Sequence, residues 1–289
     1  PAGLQLVNAT QYGATGNGTT DDTTALQNAI DACGTMAQGA AGTPNVNSGT
    51  TVVGCLVYLP RGRYRTTASL TARPWVSYRG AGKWSSGIVL DTTVAGAVPI
   101  LTATNAGWIT IEDLYLETSG TAVAGQNGIN FTSSVSFGIK PTVQRVNVQR
   151  TWTAFSFSGS MTQGTFREVY MRNAENACMV ADSSSGVSIS HFDTLYCSNP
   201  NGLGYDLYSV GNSTFSNINA ENTGGDGFRC SGCNRNAFTG LYLGDTIGAK
   251  DTGVPGTLSR GLHLIASRNN VFNATFINMA STARGSTVL

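Results

Sequence analysis

Few side chains in this sequence carry a charge. Charged residues make up 11% of the chain, and 17 basic against 16 acidic side chains leave a net charge of +1. So small a charge provides no long-range attraction to nucleic acid or to an anionic membrane. The chain also has no run of 18 apolar residues, so we expect neither nucleic acid as a partner nor insertion into a membrane.

The beginning of the sequence lacks the basic and apolar region of an export signal, so we expect any such signal to have been removed. Hydrophobic residues make up 40% and there are 36 glycines, so the polar surface must be built largely from Ser, Thr and Asn. This composition is typical of an extracellular, water-facing protein. The length of 289 residues favours one domain over two.

An apolar-polar-apolar segment recurs at a nearly fixed spacing. Its copies begin at Leu114, Val146, Val169, Leu195, Ile218 and Leu241, and the last four steps are 23, 26, 23 and 23 residues. A fixed period of this size indicates one supersecondary unit that is repeated and stacked. Within each unit, the alternation of apolar and polar residues predicts a short strand with one buried face.

Two further sets of equivalent positions recur once in each repeat and support a coil; we call such a set a column. A phenylalanine stands three residues ahead of the last four copies, at Phe166, Phe192, Phe215 and Phe238. A second apolar pair follows the first strand, at Ile129 and Phe131, Phe155 and Phe157, Cys178 and Val180, Phe228 and Cys230, and Leu262 and Leu264. Each repeat therefore supplies at least two strands, and like side chains stack at about 4.8 Å. We predict an all-β fold, a single right-handed parallel β-helix of about seven to ten rungs, rather than a β-sandwich.

The amino-terminal part contains a specific order of motifs: YGATGNGTTDDTTALQNAIDAC from Tyr12, then VYLPRGRYRTTASL from Val57. This order resembles the opening of the pectate-lyase-like superfamily of β-helix proteins, which contains many bacteriophage tailspikes and secreted polysaccharide lyases and hydrolases. The motifs cover about residues 7–70, and the repeats extend the resemblance to about residue 280. The resemblance implies the same coil and a polysaccharide or cell-surface glycan as partner.

The same segment predicts a helix over about residues 22–33 that covers the amino-terminal end of the coil. Gly16 and Gly18 permit a tight turn, and Asp21 or Asp22 is placed to cap the helix. We therefore interpret both aspartates as structural rather than catalytic. The predicted single domain, 1–289, divides into a cap with the helix at 1–50, rungs at 51–280 and a tail at 281–289.

The six cysteines allow two interpretations. Cys33 and Cys55 bracket the region where the helix returns to the first strands, where a disulfide would fit. Cys178, Cys197 and Cys230 fall in inward columns, so we expect small buried thiols there. Cys230 and Cys233 form a single CxxC in a chain with only two histidines, so we expect no zinc site.

The residue between the two apolar positions of each repeat points outward. This column consists of Tyr115, Asn147, Tyr170, Tyr196, Asn219 and Tyr242. Flat rings with a hydroxyl group suit stacking against sugars, so the four tyrosines are candidate substrate-binding residues. The alternative is that they pack beneath the loops at 117–127 and 244–260.

Ionisable residues flank this column. Asp113, Arg145 and Glu168 precede the apolar pair, and with no rung hidden between Leu114 and Val146 the two carboxylates lie two rungs apart, about 10 Å. Inverting glycoside hydrolases separate their carboxyl groups by about 6.5–9.5 Å. An arginine between them would keep one carboxylate ionised and orient an acidic sugar. These three are therefore candidate catalytic residues, and a surface salt-bridge ladder is the alternative.

Arg172 and Glu221 follow the apolar pair and join the tyrosines as candidate substrate-binding residues, while Glu117 in the same column is a reserve candidate for chemistry. The stretch ENTGGDGF at 221–228 differs from the paired-aspartate motif of polygalacturonases because two glycines interrupt it. We therefore do not transfer that mechanism.

His191 and His263 fall in separate columns, so we interpret them as surface or turn residues. The sequence predicts no cofactor and no metal.

Three functions fit these features. The first is a tailspike-type receptor-binding protein of a bacteriophage, which binds and depolymerises host surface polysaccharide as a homotrimer attached to virion components. The second is a free secreted polysaccharide lyase or glycoside hydrolase of pectinase type. The third is a non-catalytic structural or glycan-binding appendage, which the sparse carboxylates favour. All three are extracellular.

Overall fold

The computed structural model describes residues 5–38, 54–134, 138–244, 260–273 and 275–278. It contains a short 3-10 helix, Ala9–Tyr12, and one α-helix, α1, Thr23–Gln38. The strands of the first half are β1 Gln5–Asn8, β2 Asn17–Asp21, β3 Cys55–Leu59, β4 Gly62–Thr66, β5 Leu70–Thr71, β6 Val76–Gly80, β7 Ser86–Leu90, β8 Leu101–Thr104, β9 Thr110–Glu112, β10 Tyr115–Thr118, β11 Ile129–Ser133, β12 Thr142–Gln144 and β13 Asn147–Gln149. The strands of the second half are β14 Thr153–Thr162, β15 Thr165–Arg172, β16 Ala177–Ala181, β17 Gly186–Ser188, β18 His191–Ser198, β19 Leu203–Tyr208, β20 Val210–Gly211, β21 Thr214–Glu221, β22 Phe228–Ser231, β23 Ala237–Gly244, β24 Leu262–Ile265, β25 Val271–Asn273 and β26 Phe276–Asn278.

The strands form the predicted right-handed parallel β-helix, with one large sheet of 16 strands and a second of ten. Each rung contributes two consecutive segments to the large sheet, so the sheet consists of two stacks of ten strands each, which we call its legs. The long strands β15, β18, β21 and β23 belong to both legs. The first leg runs β1-β3-β6-β9-β12-β15-β18-β21-β23-β25, and the second runs β2-β4-β7-β10-β13-β15-β18-β21-β23-β26. The second sheet stacks β5-β8-β11-β14-β16-β19-β22-β24, and β17 and β20 extend from β14. Because β9 pairs with β12 and β10 with β13, no rung lies between Leu114 and Val146.

The two legs meet at a bend in the left-handed backbone region. The φ angles there lie between 51° and 57° for Asp113, Arg145, Glu168, Thr194 and Asn217, and reach 68° for Gly240. One left-handed residue rotates the following strand, so residues three positions apart both face the interior. The bend therefore explains why each phenylalanine precedes the apolar pair by three residues instead of two or four.

Phenylalanines stack inside the first leg, as predicted. Ring centroids are 5.3 Å apart for Phe166 and Phe192, 4.7 Å for Phe192 and Phe215, and 4.7 Å for Phe215 and Phe238. The ladder ends on Phe272, 4.5 Å beyond Phe238. The predicted aliphatic ladder beside it is also in line and buried, at Val146, Val169, Leu195, Ile218 and Leu241.

The predicted register of the second sheet is wrong by one residue at β16. Phe155 pairs with Met179 and Phe157 with Ala181, rather than with Cys178 and Val180. All residues of β16, Ala177–Ala181, are apolar, so a period of two cannot distinguish its two faces. A shift of one residue exchanges every side chain between the faces.

All six cysteines form disulfides: Cys33–Cys55, Cys178–Cys197 and Cys230–Cys233. The first was anticipated, whereas the expectation of free thiols at Cys178, Cys197 and Cys230 is wrong. Stacking places Cys178 of β16 beside Cys197 of the next rung, with a Cα–Cα distance of 5.9 Å that suits a disulfide. Alignment of repeats compares equivalent positions, so it does not reveal a bond between two different columns.

Helix α1 begins near the predicted residue and extends to Gln38, five residues beyond the predicted end. Leu26 and Ile30 join the core, and the helix contacts β1, β3, β5 and β6. Asp22 is fully buried and accepts hydrogen bonds from the backbone N–H groups of Thr15, at 2.7 Å, and Gly16, at 3.0 Å. This carboxylate is occupied by the fold, in agreement with a structural role. The closure of the coil's end by α1 stays a prediction.

The phenylalanine ladder gives a stability prediction. Phe215→Ala removes a ring that stacks 4.7 Å from each neighbour, and Phe192→Ala is equivalent, so each should lower the free energy of unfolding by about 3–5 kcal/mol. Tyr196→Ala on the outer side of the same strands should cost much less. Denaturant unfolding measures all three. Equal losses would contradict the assignment of inner and outer residues.

Candidate functional site

The outward column of the second leg is in register along its whole length. Tyr115 pairs with Asn147, which pairs with Tyr170, and the column continues through Tyr196, Asn219 and Tyr242. The alternate residues of these strands, such as Leu116, Val148 and Met171, are buried inside. We call these six outward residues the tyrosine face. The structure thus brings together the four tyrosines that the sequence singled out.

The rings of the tyrosine face are partly accessible. Tyr115, Tyr170 and Tyr196 are half-buried, and Tyr242 is 36% exposed. Tyr170 and Tyr196 contact each other with ring centroids 5.8 Å apart and planes inclined by 46°. Tyr115 lies over its neighbour in register, Gly87, where a Cβ atom would overlap the ring. The glycine therefore lets this ring lie flat on the sheet.

A turn from an earlier rung lies against the tyrosine face. The Nζ atom of Lys83 is 4.1 Å from the centroid of the Tyr170 ring, a cation–π contact. Trp84 is 56% exposed and lies 5.2 Å from the guanidinium carbon of Arg172. The N–H of Gly82 donates to the carbonyl oxygen of Asp113 at 2.9 Å, which holds the turn over the bend. The sequence interpretation missed Lys83 and Trp84 because they precede the first aligned repeat.

Glu221 and Arg172, the other candidate binding residues, also reach this face. Tyr196 donates its hydroxyl hydrogen to the carboxylate of Glu221, and Ser198 donates to the same oxygen at 3.2 Å. Partial burial raises the pKa of Tyr196, and the hydrogen bond to Glu221 raises it further. Tyr196 is therefore a neutral hydroxyl at physiological pH, suited to hydrogen bonding rather than to proton abstraction.

The bend holds a cluster of ion pairs around Arg145. Its Nε is 2.6 Å from Oδ1 of Asp113, and its Nη2 is 2.9 Å from Oδ2 of Asp113 and from Oε2 of Glu112. Glu112 is buried and also accepts from Nε of Arg79 at 2.5 Å. The sequence interpretation missed Glu112 and Arg79, although both lie in the next outward column. Two of the three candidate catalytic residues are thus in contact.

Glu168, the third candidate, is not in the same contact set. Its nearest cation is Arg167, whose Nε is 3.5 Å from Oε1, and its side chain is 41% exposed. Register places Glu168 one rung beyond Arg145 and two beyond Asp113, so about 10 Å separates the two carboxylate positions along the axis. Hydrogen bonds from Arg145, together with its charge, lower the pKa of Asp113. An ionised Asp113 suits a base or an orienting group better than a general acid.

Glu117, the reserve candidate, is a buried carboxylate held by the fold. Gln149 donates to its Oε1 at 2.9 Å, Arg150 forms an ion pair with the same oxygen, and Arg63 lies 3.6 Å from Oε2. Its side chain is 3% exposed. Three partners from other rungs leave this carboxylate little freedom to act on a substrate.

The two histidines lie elsewhere. His191 is exposed at the first residue of β18 and bonds through Nδ1 to the hydroxyl of Thr214 at 2.8 Å, in line with a surface role. His263 instead lies half-buried in β24, where Nδ1 is 2.8 Å from Oδ2 of Asp226 and Nε2 contacts Arg260. The interpretation of His263 as a simple surface residue therefore missed a polar cluster on the second sheet.

In the described part of the chain, no group of three or more His, Cys, Asp and Glu side chains is arranged to hold a metal ion. Nor does any helix in that part have the length and apolar character needed to cross a membrane.

Comparison with known proteins gives a family and several related folds. Residues 6–246 match the family described as Rhamnogalacturonase A/epimerase, pectate lyase-like. No curated protein sequence matches the chain. Three solved tailspikes share the fold: that of Acinetobacter phage vb_AbaP_AS12, with 12% identity and a TM-score of 0.69, tailspike protein 2 of bacteriophage CBA120, with 14% and 0.60, and the phiAB6 tailspike, with 12% and 0.54.

These tailspikes are longer than the chain. The alignments cover 95%, 96% and 94% of this chain but only 46%, 43% and 48% of the respective tailspikes. The CBA120 structure is described as an enzymatically active domain, and the phiAB6 structure contains three-repeated oligosaccharides of Acinetobacter baumannii surface polysaccharide. At these identities the likeness concerns the fold.

The ion pair of Asp113 gives a pH prediction. Because Arg145 lowers the pKa of this carboxyl in the folded state, the pair stabilises the fold above the ordinary Asp pKa of about 3.9. That stabilisation is lost as the pH falls through the lowered value. Asp113→Asn should therefore be less stable than the unsubstituted protein at neutral pH, and the difference should shrink below about pH 4.

Urea unfolding over this pH range measures the effect. Asp193→Asn is the matched control, since its carboxylate lies 3.8 Å from Arg167 and is 41% exposed. Its substitution should have a smaller effect. If the loss of stability caused by Asp113→Asn does not change with pH, the charge of the carboxylate is not the source of the stabilisation.

Proposed function

The chain belongs to the Rhamnogalacturonase A/epimerase, pectate lyase-like family, and we propose that it recognises a carbohydrate through the tyrosine face. The observation that supports this most is the register of Tyr115, Tyr170, Tyr196 and Tyr242 along one outward column. Successive positions in such a column are separated by about 4.8 Å. A linear glycan lying along the axis would meet a tyrosine ring at four of the six positions in this column.

Aromatic and polar groups alternate in a way that suits sugars. The rings of Tyr170 and Tyr196 offer apolar faces to sugar C–H groups, and the tyrosine hydroxyls offer hydrogen bonds. Arg172 and Glu221 in the adjacent column add a cation and an acceptor. A sugar unit at Tyr170 or Tyr196 would therefore meet one apolar surface and at least one polar partner, which is the combination that carbohydrate recognition requires.

Within this function we propose a tailspike-type receptor-binding protein of a bacteriophage that binds and depolymerises host surface polysaccharide. The fold shared with three phage tailspikes supports this assignment. It implies a homotrimer, virion components as further partners and an extracellular location. Disulfides at all six cysteines agree with an oxidising environment.

A free secreted polysaccharide lyase or glycoside hydrolase is the second candidate, and a non-catalytic glycan-binding appendage is the third. The family match favours the second, and the engagement of Asp113 by Arg145 favours the third. Size-exclusion chromatography with light scattering separates the first two. A stable trimer favours the virion role, and a monomer favours the free enzyme.

The tyrosine face gives the binding prediction. Tyr170→Ala combined with Tyr196→Ala removes two adjacent rings, so binding on an array of bacterial surface polysaccharides should fall by about 10-fold or more while folding is retained. Tyr58→Ala is the matched control because Tyr58 is a half-buried tyrosine on the first leg. Equal losses from the control and the double variant would contradict a role for this particular column.

The bend residues give the catalytic prediction. If Asp113 and Glu168 act on the bound glycan with Arg145 orienting it, Asp113→Asn and Glu168→Gln should abolish turnover and leave binding nearly unchanged. Assays for new reducing ends and for unsaturated products, run on the polysaccharide selected by the array, distinguish hydrolase from lyase. Full activity in both variants would move the assignment to Arg172 and Glu221, and an inactive unsubstituted protein would favour the appendage.

A further inference from the structure

Unpaired buried polar atoms concentrate on the tyrosine face and in the column beside it. In the described residues, six buried side-chain nitrogen or oxygen atoms have no hydrogen-bond partner, and four of them belong to Asn147, Arg172 and Asn219. Asn147 contributes both amide atoms, Arg172 its Nε and Asn219 its Oδ1. All three residues lie on the outward side of the second leg. Because unpaired buried polar atoms destabilise a fold, their concentration on one surface calls for an explanation.

Asn147 is the clearest case. It points outward, yet it is 0% exposed, and its neighbours in register are Tyr115 and Tyr170. A carboxamide in this place contributes no hydrogen bond to the folded state. A leucine of similar volume would fill the same space without an unpaired donor and acceptor. The folded chain alone therefore gives no reason for an amide here, and a ligand does.

The turn at Lys83 and Trp84 occupies the neighbouring surface. Lys83 lies over the ring of Tyr170, and Trp84 lies over the guanidinium group of Arg172. Both contacts use surfaces of Tyr170 and Arg172 that the proposed glycan would also contact. Gly82 is anchored to the carbonyl of Asp113, whereas Trp84 is 56% exposed. The two cation–π contacts hold the tip of the turn to this surface, and these are the contacts that it would lose when it moves.

We propose that Asn147 and Arg172 are the specificity-determining hydrogen-bonding residues of the glycan site, and that the Lys83–Trp84 tip moves aside when a sugar unit binds. This inference rests on the proposed function. The carboxamide of Asn147 offers a donor and an acceptor side by side, and the Nε–H of Arg172 offers a second donor. The matching group is a sugar substituent that also presents an acceptor beside a donor, as an acetamido group or a vicinal diol does.

Asn147→Leu tests the proposal by two separate measurements. Removal of two unpaired buried atoms should leave the midpoint of thermal unfolding unchanged or raise it, and signals on the polysaccharide array should fall by about 10-fold. Asn130→Leu on the second sheet is the matched control, because the Asn130 amide oxygen accepts a hydrogen bond from Asn127 at 2.8 Å. It should lower the unfolding midpoint without changing the array. A lowered midpoint for Asn147→Leu, or an unchanged array, overturns the proposal.

Trp84→Ala tests the movement of the turn. With fewer contacts to break, the variant should bind the same array polysaccharides several-fold more tightly, whereas weaker binding would overturn the displacement and make Trp84 a fixed contact.

Array glycans with acetamido groups, compared with those carrying only hydroxyl groups, identify the matching substituent. If the unsubstituted protein binds no glycan, the proposed function fails as well. If binding depends on Tyr170 and Tyr196 but not on Asn147, only the present inference fails.

Discussion

Parallel hydrogen bonding between successive rungs keeps equivalent residues in register, and the rest of the structure depends on that register. The phenylalanine and aliphatic ladders of the interior both follow from it, because a slip of one residue would turn each ladder to the outside. The same register lines up the tyrosines on the outer side. Stability and recognition are therefore assigned to opposite faces of the same short strands.

The bend between the two legs is the costly element of this arrangement. A left-handed conformation costs about 1–2 kcal/mol for most residues other than glycine, and asparagine and aspartate tolerate it best. Asp113, Asn217 and Gly240 suit the bend, but Arg145, Glu168 and Thr194 occupy it with φ angles of 51°, 53° and 54°. Their backbone geometry is imposed by the coil. The bidentate pair of Asp113 and Arg145 stabilises two neighbouring bends, so a structural contribution accompanies any role in catalysis.

Spacing in the sequence was sufficient to predict the coil, the interior ladders and the tyrosine face, because each is a column of equivalent positions. It failed where a feature joins different columns. The bond between Cys178 and Cys197 and the contact of Lys83 with Tyr170 are of this kind. It also failed at β16, where an uninterrupted apolar segment conceals the phase of the strand. Glu112 was overlooked because its burial comes from two arginines on adjacent rungs, which a single repeat does not reveal.

The outer and inner faces of the coil also differ in how completely their polar side chains are hydrogen-bonded. Inside, the aromatic and aliphatic ladders leave few polar atoms to satisfy, and Thr66, which is in register with the buried Leu90, is an exception. Outside, the buried amide of Asn147 and the Oδ1 atom of the half-buried Asn219 lie between tyrosine rings and lack partners within the chain. A surface under selection only for stability would exchange such amides for apolar groups of the same shape, since that change is neutral or favourable for folding. Their presence beside accessible rings is therefore most economically explained by a ligand that supplies the missing hydrogen bonds.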